Sequence, residues 1–460
     1  MQSIATVGGY LWNYSPDLRR RAGESPADAD HIWVQAPGTP AVGLAFLRAY
    51  AVTGDLRHLD AARAVAEALS FGQLGSGGWH YAIDMTCREN NRDGLPDYRG
   101  RAVARARPGQ PMNPHFTVAS TYDDDNTQGA IRFLLACIVA ASSCPSPRDE
   151  AIRATLDRAL EGLLRAQYPN GAWPQRFDGR PHDPAMHAPA VARFPRDYPR
   201  EWSPAWDYQQ HYTLNDETQH DCIRTLLEAA RALGDERYLS AAKRAGEWLV
   251  RAQLPEPQPA WAQQYNAAME PAWARAFEPP AVASLESGSA LRALLLLHRW
   301  TGERRFLAPL DSAVAWLERS AIAPGRWARL YELGMNRPIY GDVDGRIHHS
   351  LEELTPMRRT GYGWQGDFHL PDTLAACRSA LAGEAGPAGE THRKLGPLAK
   401  RAAAARQAIA ALDAQGRWIR DGRMTKNAPE EPLIMTREFI RQANVLCDYL
   451  AGDSASQPRP

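Results

Sequence analysis

A recurring helix–turn–helix signature, a tryptophan loop after each second helix, and almost no β-branched alternation predict an all-α fold. The class they predict is an α/α toroid of helical hairpins. The signature reads Thr53-Gly-Asp-Leu-Arg-His-Leu59, then Leu233-Gly-Asp-Glu-Arg-Tyr-Leu239, then Thr301-Gly-Glu-Arg-Arg-Phe-Leu307. In each copy the glycine suits the left-handed position that stops a helix. The acid after it favours the positive end of the next helix. Second helices close on Gly72-Gln73-Leu74, Ala166-Gln167-Tyr168 and Ala252-Gln253-Leu254. The loops that follow are Gly77-Gly78-Trp79, Gly171-Ala172-Trp173 and Ala260-Trp261, with later copies Gly325-Arg326-Trp327 and Gly416-Arg417-Trp418. Gly8-Gly9-Tyr10 reads as a first copy without its preceding helix.

The apolar spacing predicts paired helices over 38–51 and 57–71, 126–142 and 148–167, 217–233 and 236–253, 284–300 and 304–320, and 371–383 and 396–412. A last helix is expected over 434–450. This array of about five to six pairs approaches a closed ring, and no repeat has the polar outer face of a cap, which selects the toroid over an open solenoid. One domain over residues 1–460 with long inter-hairpin loops is the expectation.

Lys and Arg together number 53, as do Asp and Glu, so the charge balance points to no nucleic-acid partner and no membrane surface. No apolar run is long enough for a membrane-spanning helix. The first residues lack the charged region and apolar core of a signal peptide, which leaves either a cytoplasmic protein or an exported chain shown without its leader. Cys137, Cys222, Cys377 and Cys447 fall at or beside apolar helix positions, where buried thiols are expected. The 14 tryptophans and 16 tyrosines suit a carbohydrate site, which stacks flat rings on sugars.

Polar residues concentrate in four segments between hairpins. Asp123, Asp124, Asp125 and Asn126 stand at the mouth of a helix carrying Ile131, Leu134, Leu135 and Ile138. One aspartate there is a cap, whereas three adjacent ones repel and call for a cation. His211-Tyr-Thr-Leu-Asn-Asp-Glu-Thr218 repeats the arrangement one hairpin later, with Asn215 or Asp216 as a plain cap the alternative. Arg275 lies among small and aromatic residues, either as a functional arginine or as the partner of Glu278. Arg358 and Arg359 stand in a Gly- and aromatic-rich turn that suits substrate contact. Carboxylates for a cation beside arginines for an anion fit a polyanionic sugar chain. Most Trp loops are expected to plug gaps between hairpins, and Trp173 and Trp261, nearest these segments, to face substrate. The long insertion between Trp173 and Asn215 carries Tyr198, Trp202, Trp206 and Tyr208, read either as subsites or as a proline-stiffened cover.

Several of these segments, in this order, resemble the family 10 polysaccharide lyases, the α/α-toroid pectate lyases. They are Asp123 with Ile131-Arg-Phe-Leu134, Ala166-Gln-Tyr-Pro-Asn-Gly-Ala-Trp-Pro-Gln175, Tyr212 through Asn215-Asp216, and Pro271 through Glu278. Leu285-Glu286-Ser287, Trp327-Ala-Arg-Leu-Tyr331, Asn336-Arg-Pro338 and Arg358-Arg-Thr-Gly-Tyr-Gly-Trp364 complete the set, covering roughly 60–365, while 1–59 and 370–460 extend the ring. The resemblance implies calcium-assisted β-elimination of 1,4-linked galacturonan, with an acidic polysaccharide as partner, a monomeric chain and a secreted or periplasmic setting. It implies an active centre of Asp123, Asp216, Arg275 and an arginine of the Arg-Arg pair, here Arg359. Calcium is expected on Asp123, Asp124 and Asp216, and substrate on Arg358, Trp173, Asn215, Tyr212, Trp261, Arg329 and Tyr362. The family usually has Asp-Asn-Gly-Ala-Thr-Thr where this chain has Asp123-Asp-Asp-Asn-Thr-Gln128, and a lysine where this chain has His80-Tyr81. Arg275 is the candidate base, which implies an alkaline rate optimum because arginine titrates above pH ~12. An α/α-toroid hydrolase with paired carboxylates, with Glu217 as a candidate, and a non-catalytic oligouronide-binding protein are the rival classes.

Overall fold

The computed structural model describes residues 1–86, 119–204, 207–384 and 395–454. Among them are helices α1 (Thr39–Thr53), α2 (Leu56–Phe71), α3 (Asn126–Ala141), α4 (Arg148–Ala166), α5 (Thr218–Leu233), α6 (Glu236–Ala252) and α7 (Ser284–Thr301). They continue with α8 (Leu310–Arg319), α9 (Pro356–Gly361), α10 (Leu370–Leu381), α11 (Leu398–Ala410) and α12 (Thr436–Ser454). The fold class is the predicted one, all-α and of the α/α-toroid type. Asp55 and Asp235 accept from the Arg57 and Arg237 backbone N–H groups, as the repeat implies for acids opening second helices. Gly54, Gly234 and Gly302 take the left-handed stop position.

Two helical segments differ from the expectation. The helix expected over 304–320 is a 3₁₀ turn, Arg304–Leu307, followed by α8, because Pro309 between them has no N–H to continue the ladder. The arginine turn is itself a short helix, α9, with Pro356 in its first turn. Among the described residues no helix is long and apolar enough to cross a membrane.

The chain divides into two compact units. The first is drawn from Met1–Thr121, Asp125–Gly162 and His392–Pro460. In it α1 packs on α2, α3 and α12, and α11 packs on α12. Where a loop was expected before α12, Ile419–Arg423 and Glu430–Met435 pair as an antiparallel hairpin. Asn13–Tyr14 and Arg21–Ala22 extend it to four strands. Leu11, Tyr14, Trp33, Tyr81 and Ile434 form the buried cluster beneath.

The second unit comprises Tyr122–Asp124 and Leu163–Thr391. Its centre is α7, which packs against α5, α6, α8 and α10 and buries Leu291, Leu294, Leu295 and Leu297. A four-stranded antiparallel sheet (Val282–Ala283, Leu330–Tyr331, Pro338–Gly341, Ile347–His348) lies over a cluster of Leu330, Ile339, Leu354 and Trp364. Arg329 directly precedes the strand Leu330–Tyr331, and Tyr362 packs against the cluster.

One device recurs through both units. The indole N–H of each loop tryptophan donates to a carbonyl near the end of the preceding helix: Trp79 to Leu69 (2.8 Å), Trp173 to Leu163 (2.9 Å), Trp261 to Leu249 (2.8 Å), Trp327 to Leu317 (2.6 Å) and Trp418 to Ala408 (2.7 Å). The repeated glutamine supplies the second tie. Gln167 Nε2 donates to Gly171 O and to Ala241 O of α6, each at 2.9 Å, joining its own loop to the next hairpin. Gln73 does the same with Gly77 and Thr155, and Gln253 with Pro259 and Pro309. Gly171 has φ +106°, and a Cβ there would lie 2.3 Å from Arg244 O, so the loop can approach α6 only as glycine. Replacing Gln167 by Ala removes both bonds, at about 1–2 kcal/mol each. Chemical denaturation is expected to show a loss of roughly 2–4 kcal/mol.

Candidate active site

The two acidic runs share one backbone geometry. Asp124 (φ 52°) and Asp125 (φ 56°) are consecutive left-handed residues before α3, and Asp216 (φ 47°) and Glu217 (φ 63°) repeat this before α5. Left-handed conformations cost non-glycine residues about 1–2 kcal/mol each, and Asp tolerates them better than most. Neither Asp125 nor Glu217, which immediately precede the helices, makes a side-chain capping bond, so capping does not account for these acids. Asp125 instead pairs with Arg132, and Glu217 with Arg292. Each run thereby directs its last acid to a helix arginine and its earlier acids elsewhere.

Those earlier acids converge. Asn215 Nδ2 donates to Asp216 Oδ2 and lies 3.4 Å from Asp123 Oδ1, so the two runs meet on one amide group. Burial, then the charges of Asp123 and Asp124, push the Asp216 carboxyl well above its usual pKa, with Arg329 acting in the opposite sense. Asp216 remains 31% exposed, open enough to meet a ligand.

Opposite the acids stands a set of arginines. Arg329 is 4.0 Å from Asp216 and 3.1 Å from Glu286, whose carboxylate is fully buried. Its guanidinium lies 4.7 Å from the Tyr362 ring centre. The Tyr362 hydroxyl donates to Glu278 Oε1 at 3.0 Å, and Glu278 is gripped by Arg275 through Nε (2.7 Å), Nη2 and the backbone N–H. That pairing outweighs burial and holds the Arg275 pKa above its ordinary value, while it draws Glu278 below its own. Arg358 stacks over Phe277 at 3.5 Å, and burial together with the neighbouring Arg275 charge lowers its pKa. Arg329 Nε, Arg358 Nε and Glu286 Oε2 are buried without hydrogen-bond partners among the described residues.

Most of the expected residues are thus brought together: Asp123, Asp124, Asn215, Asp216, Arg275, Arg329, Arg358 and Tyr362. Four of the expected residues are placed otherwise. Arg359, expected in the active centre, donates to the carbonyls of Leu351 (2.9 Å), Glu352 (2.8 Å) and Leu354 (3.1 Å), and so holds the turn before α9. Trp173 and Trp261 are fully buried with their indole N–H groups engaged, and present no ring face to a sugar. Tyr212 is 1% exposed, with its hydroxyl paired to His187 Nδ1 at 2.9 Å. In the insertion, Trp202 donates to Ala274 O (2.7 Å) and Tyr198 lies beneath Arg200, while Tyr208 feels the charges of Arg275 and Glu278. Trp206 lies outside the described residues.

Glu286 and Gln263 were missing from the expected site. Gln263 Nε2 donates to Glu278 Oε1 at 3.0 Å and to Asn215 Oδ1. The available signal for Glu286 was a lone acid in the first turn of a helix otherwise suited to burial.

Helical hairpins that carry clustered carboxylates beside buried arginines suit a polyanionic carbohydrate, and the family match gives the class, a polysaccharide lyase. The chain belongs to the pectic acid lyase family, whose model matches residues 97–326 and 321–371, more than half of its length. No curated protein was found to match it. Among solved structures it is similar to the family 10 polysaccharide lyase from Cellvibrio cellulosa, in a substituted form with trigalacturonic acid. The two share 19% identity over 75% of this chain and 98% of the other, with a TM-score of 0.49. It is also similar to a D-mannose isomerase (12% identity, 97% and 92% covered, TM-score 0.43). A third is an α-1,6-mannanase from Salegentibacter sp. (13% identity, 97% and 94% covered, TM-score 0.39). The family match, not these likenesses, places the chain.

The Asp216 carboxyl binds its proton more tightly in the folded chain than in the unfolded one. The resulting penalty is absent below the unfolded pKa of ~3.9 and is felt in full above the raised folded value. Asp216→Asn keeps a residue that tolerates the left-handed backbone. In chelator at neutral pH it is expected to raise Tm by ~2–4 °C. The gain should shrink as pH falls toward ~4, and a thermal scan across pH measures it.

Proposed function

We propose that this chain cleaves 1,4-linked galacturonan, or a related polyuronate, by β-elimination, with a calcium ion held by Asp123, Asp124 and Asp216. The observation that carries the reading is the pair of buried, unpartnered guanidinium donors, Arg329 Nε and Arg358 Nε, beside an over-acidic pocket. An unpartnered buried donor costs about 1–3 kcal/mol, and a guanidinium with hydrogen-bonding capacity left over suits a uronate carboxylate. The acid pocket fits the cation: its donors are carboxylate oxygens, which hard divalent ions prefer. Asp216 is held above its usual pKa by burial and, after it, by acids whose charge a cation would neutralise. When bound, calcium would supply a Lewis acid for the charge that gathers on the substrate carboxylate.

The chain's own residues account for the rest. Elimination removes the C5 proton, forms the C4–C5 double bond from that electron pair and expels the C4 oxygen, which takes a proton from solvent. The difficulty is a second negative charge developing on an already anionic group. Arg329, fixed by Glu286, and Arg358, laid on Phe277, supply preorganised positive charge for it. Arg275 is the base. Its pairing with Glu278 holds the proton on, so only the small deprotonated fraction accepts the C5 proton, and that fraction grows with pH. The rate is therefore expected to rise into the alkaline range.

A second reading has its own support. Asp216, whose carboxyl is raised above its usual pKa by burial and by the charges of Asp123 and Asp124, has the environment of a general acid in a glycoside hydrolase. The two readings differ in product. On polygalacturonate the lyase gives a C4–C5 unsaturated uronide with ultraviolet absorbance, lost with chelator and restored by calcium. New reducing ends without that absorbance would establish the hydrolase instead. Arg275→Ala is expected to lose more than tenfold in turnover, over ~1.4 kcal/mol of barrier, with oligouronide affinity little changed. Retention of more than a tenth of wild-type turnover would remove Arg275 as the base.

A further inference from the structure

Gln263 lies between the acid pocket and the arginines. It is 2% exposed and directs one amide nitrogen at two acceptors, Glu278 Oε1 at 3.0 Å and Asn215 Oδ1. An ionised Glu278 only accepts, so the NH₂ group of Gln263 must face it. Its second proton goes to Asn215 Oδ1, which turns the Asn215 NH₂ group the other way, onto Asp216 and toward Asp123. The polarity of this run of side chains is therefore set from both ends by anions. Gln263 Oε1 is buried with no partner among the described residues. An amide held with its oxygen unsatisfied is disfavoured in folding, so the two acceptors on its nitrogen side, and not its oxygen, set its orientation.

We propose that Gln263 is a positioning residue that joins the cation side of the site to its arginine side. Toward the acids it keeps the Asn215 carbonyl turned away and its N–H groups on Asp123 and Asp216, which leaves the carboxylates as the cation's oxygen donors. Toward the base it helps fix the Glu278 carboxylate against which Arg275 is aligned. Through these two bonds the placement of the acids and of Arg275 depends on one amide. The inference rests on the elimination reading for its role in turnover, and on the acid pocket alone for its role in cation binding.

Gln263→Met keeps length and removes the donor, and Gln263→Glu puts a carboxylate against Glu278. Each is compared with wild type by thermal scan, by calcium titration calorimetry without substrate, and by kcat and KM on polygalacturonate. For the Met variant the expected results are a nearly unchanged Tm, calcium binding weakened about fivefold or more, and kcat reduced about tenfold with KM within about twofold. The Glu variant should lose more in both calcium affinity and kcat. A purely structural glutamine predicts a lowered Tm with calcium affinity and kcat of the folded protein within twofold of wild type, and that result overturns the proposal. If wild type cleaves no polyuronate, the elimination reading fails, and the calcium titrations alone decide: equal affinities overturn the bridge, weaker binding in both variants supports it.

Discussion

Three carboxylates, Asp123, Asp124 and Asp216, are held near one another by backbone turns that few residue types tolerate, and the rest of the site is arranged around their mutual repulsion. The repulsion shows on Asp216, whose pKa is raised by burial and by the charges of the other two. The left-handed residues at Asp124 and Asp216 bring the acids to the front of helices without capping them. Arg329 could relieve the repulsion by direct pairing. It stands 4.0 Å from Asp216 and is drawn toward Glu286 at 3.1 Å instead. Glu278 restrains Arg275 in the same way. Two buried glutamates thus keep the positive charges from collapsing onto the acids, and each half of the site retains capacity for a ligand of opposite sign.

Such a site needs a stiff frame, since left-handed turns and unpartnered donors are higher-energy arrangements that relax if the surroundings yield. The loop tryptophans and the repeated glutamines supply that stiffness. Each indole N–H fastens a loop to its own helix, and each glutamine fastens the loop to the next hairpin. The first turn of the following helix adds a third tie. Gln219 Nε2 donates to Trp173 O at 3.1 Å, and the Trp261 N–H donates to Ser287 Oγ at 3.0 Å. The same loops that end one hairpin therefore set where the next helix begins, and with it where Asp216 and Glu286 stand.

Hairpin positions were legible because glycine stops, acidic starts and 3.6-residue spacing are local signals, and most helix ends fall within a residue or two of expectation. The hairpin formed by Ile419–Arg423 and Glu430–Met435 was not. Its strands carry Arg420, Asp421, Arg423, Glu430 and Glu431, and one partner strand, Asn13–Tyr14, lies at the other end of the chain. The acids and arginines were legible as chemistry, but their side-chain directions were not. Arg358 and Arg359 are neighbours in sequence, and on a helix successive side chains diverge by ~100°, so only recognition of α9 would have separated them. Trp173 sits ten residues beyond its helix carbonyl, the same spacing as Trp79, Trp327 and Trp418. That constancy marked it as structural. Gln263 offered no local signal, since its role exists only where two distant segments meet.

The most direct test of the account concerns protons and not turnover. If the three carboxylates are crowded enough to hold a proton that a cation displaces, calcium binding must release it. Calorimetric titration of the wild-type protein in buffers of differing ionisation enthalpy measures that release. Roughly one proton per calcium is expected at mildly acidic pH, falling toward none in the alkaline range, and no such release in Asp216→Asn. Calcium binding without proton release at any pH, or no calcium binding at all, would contradict it.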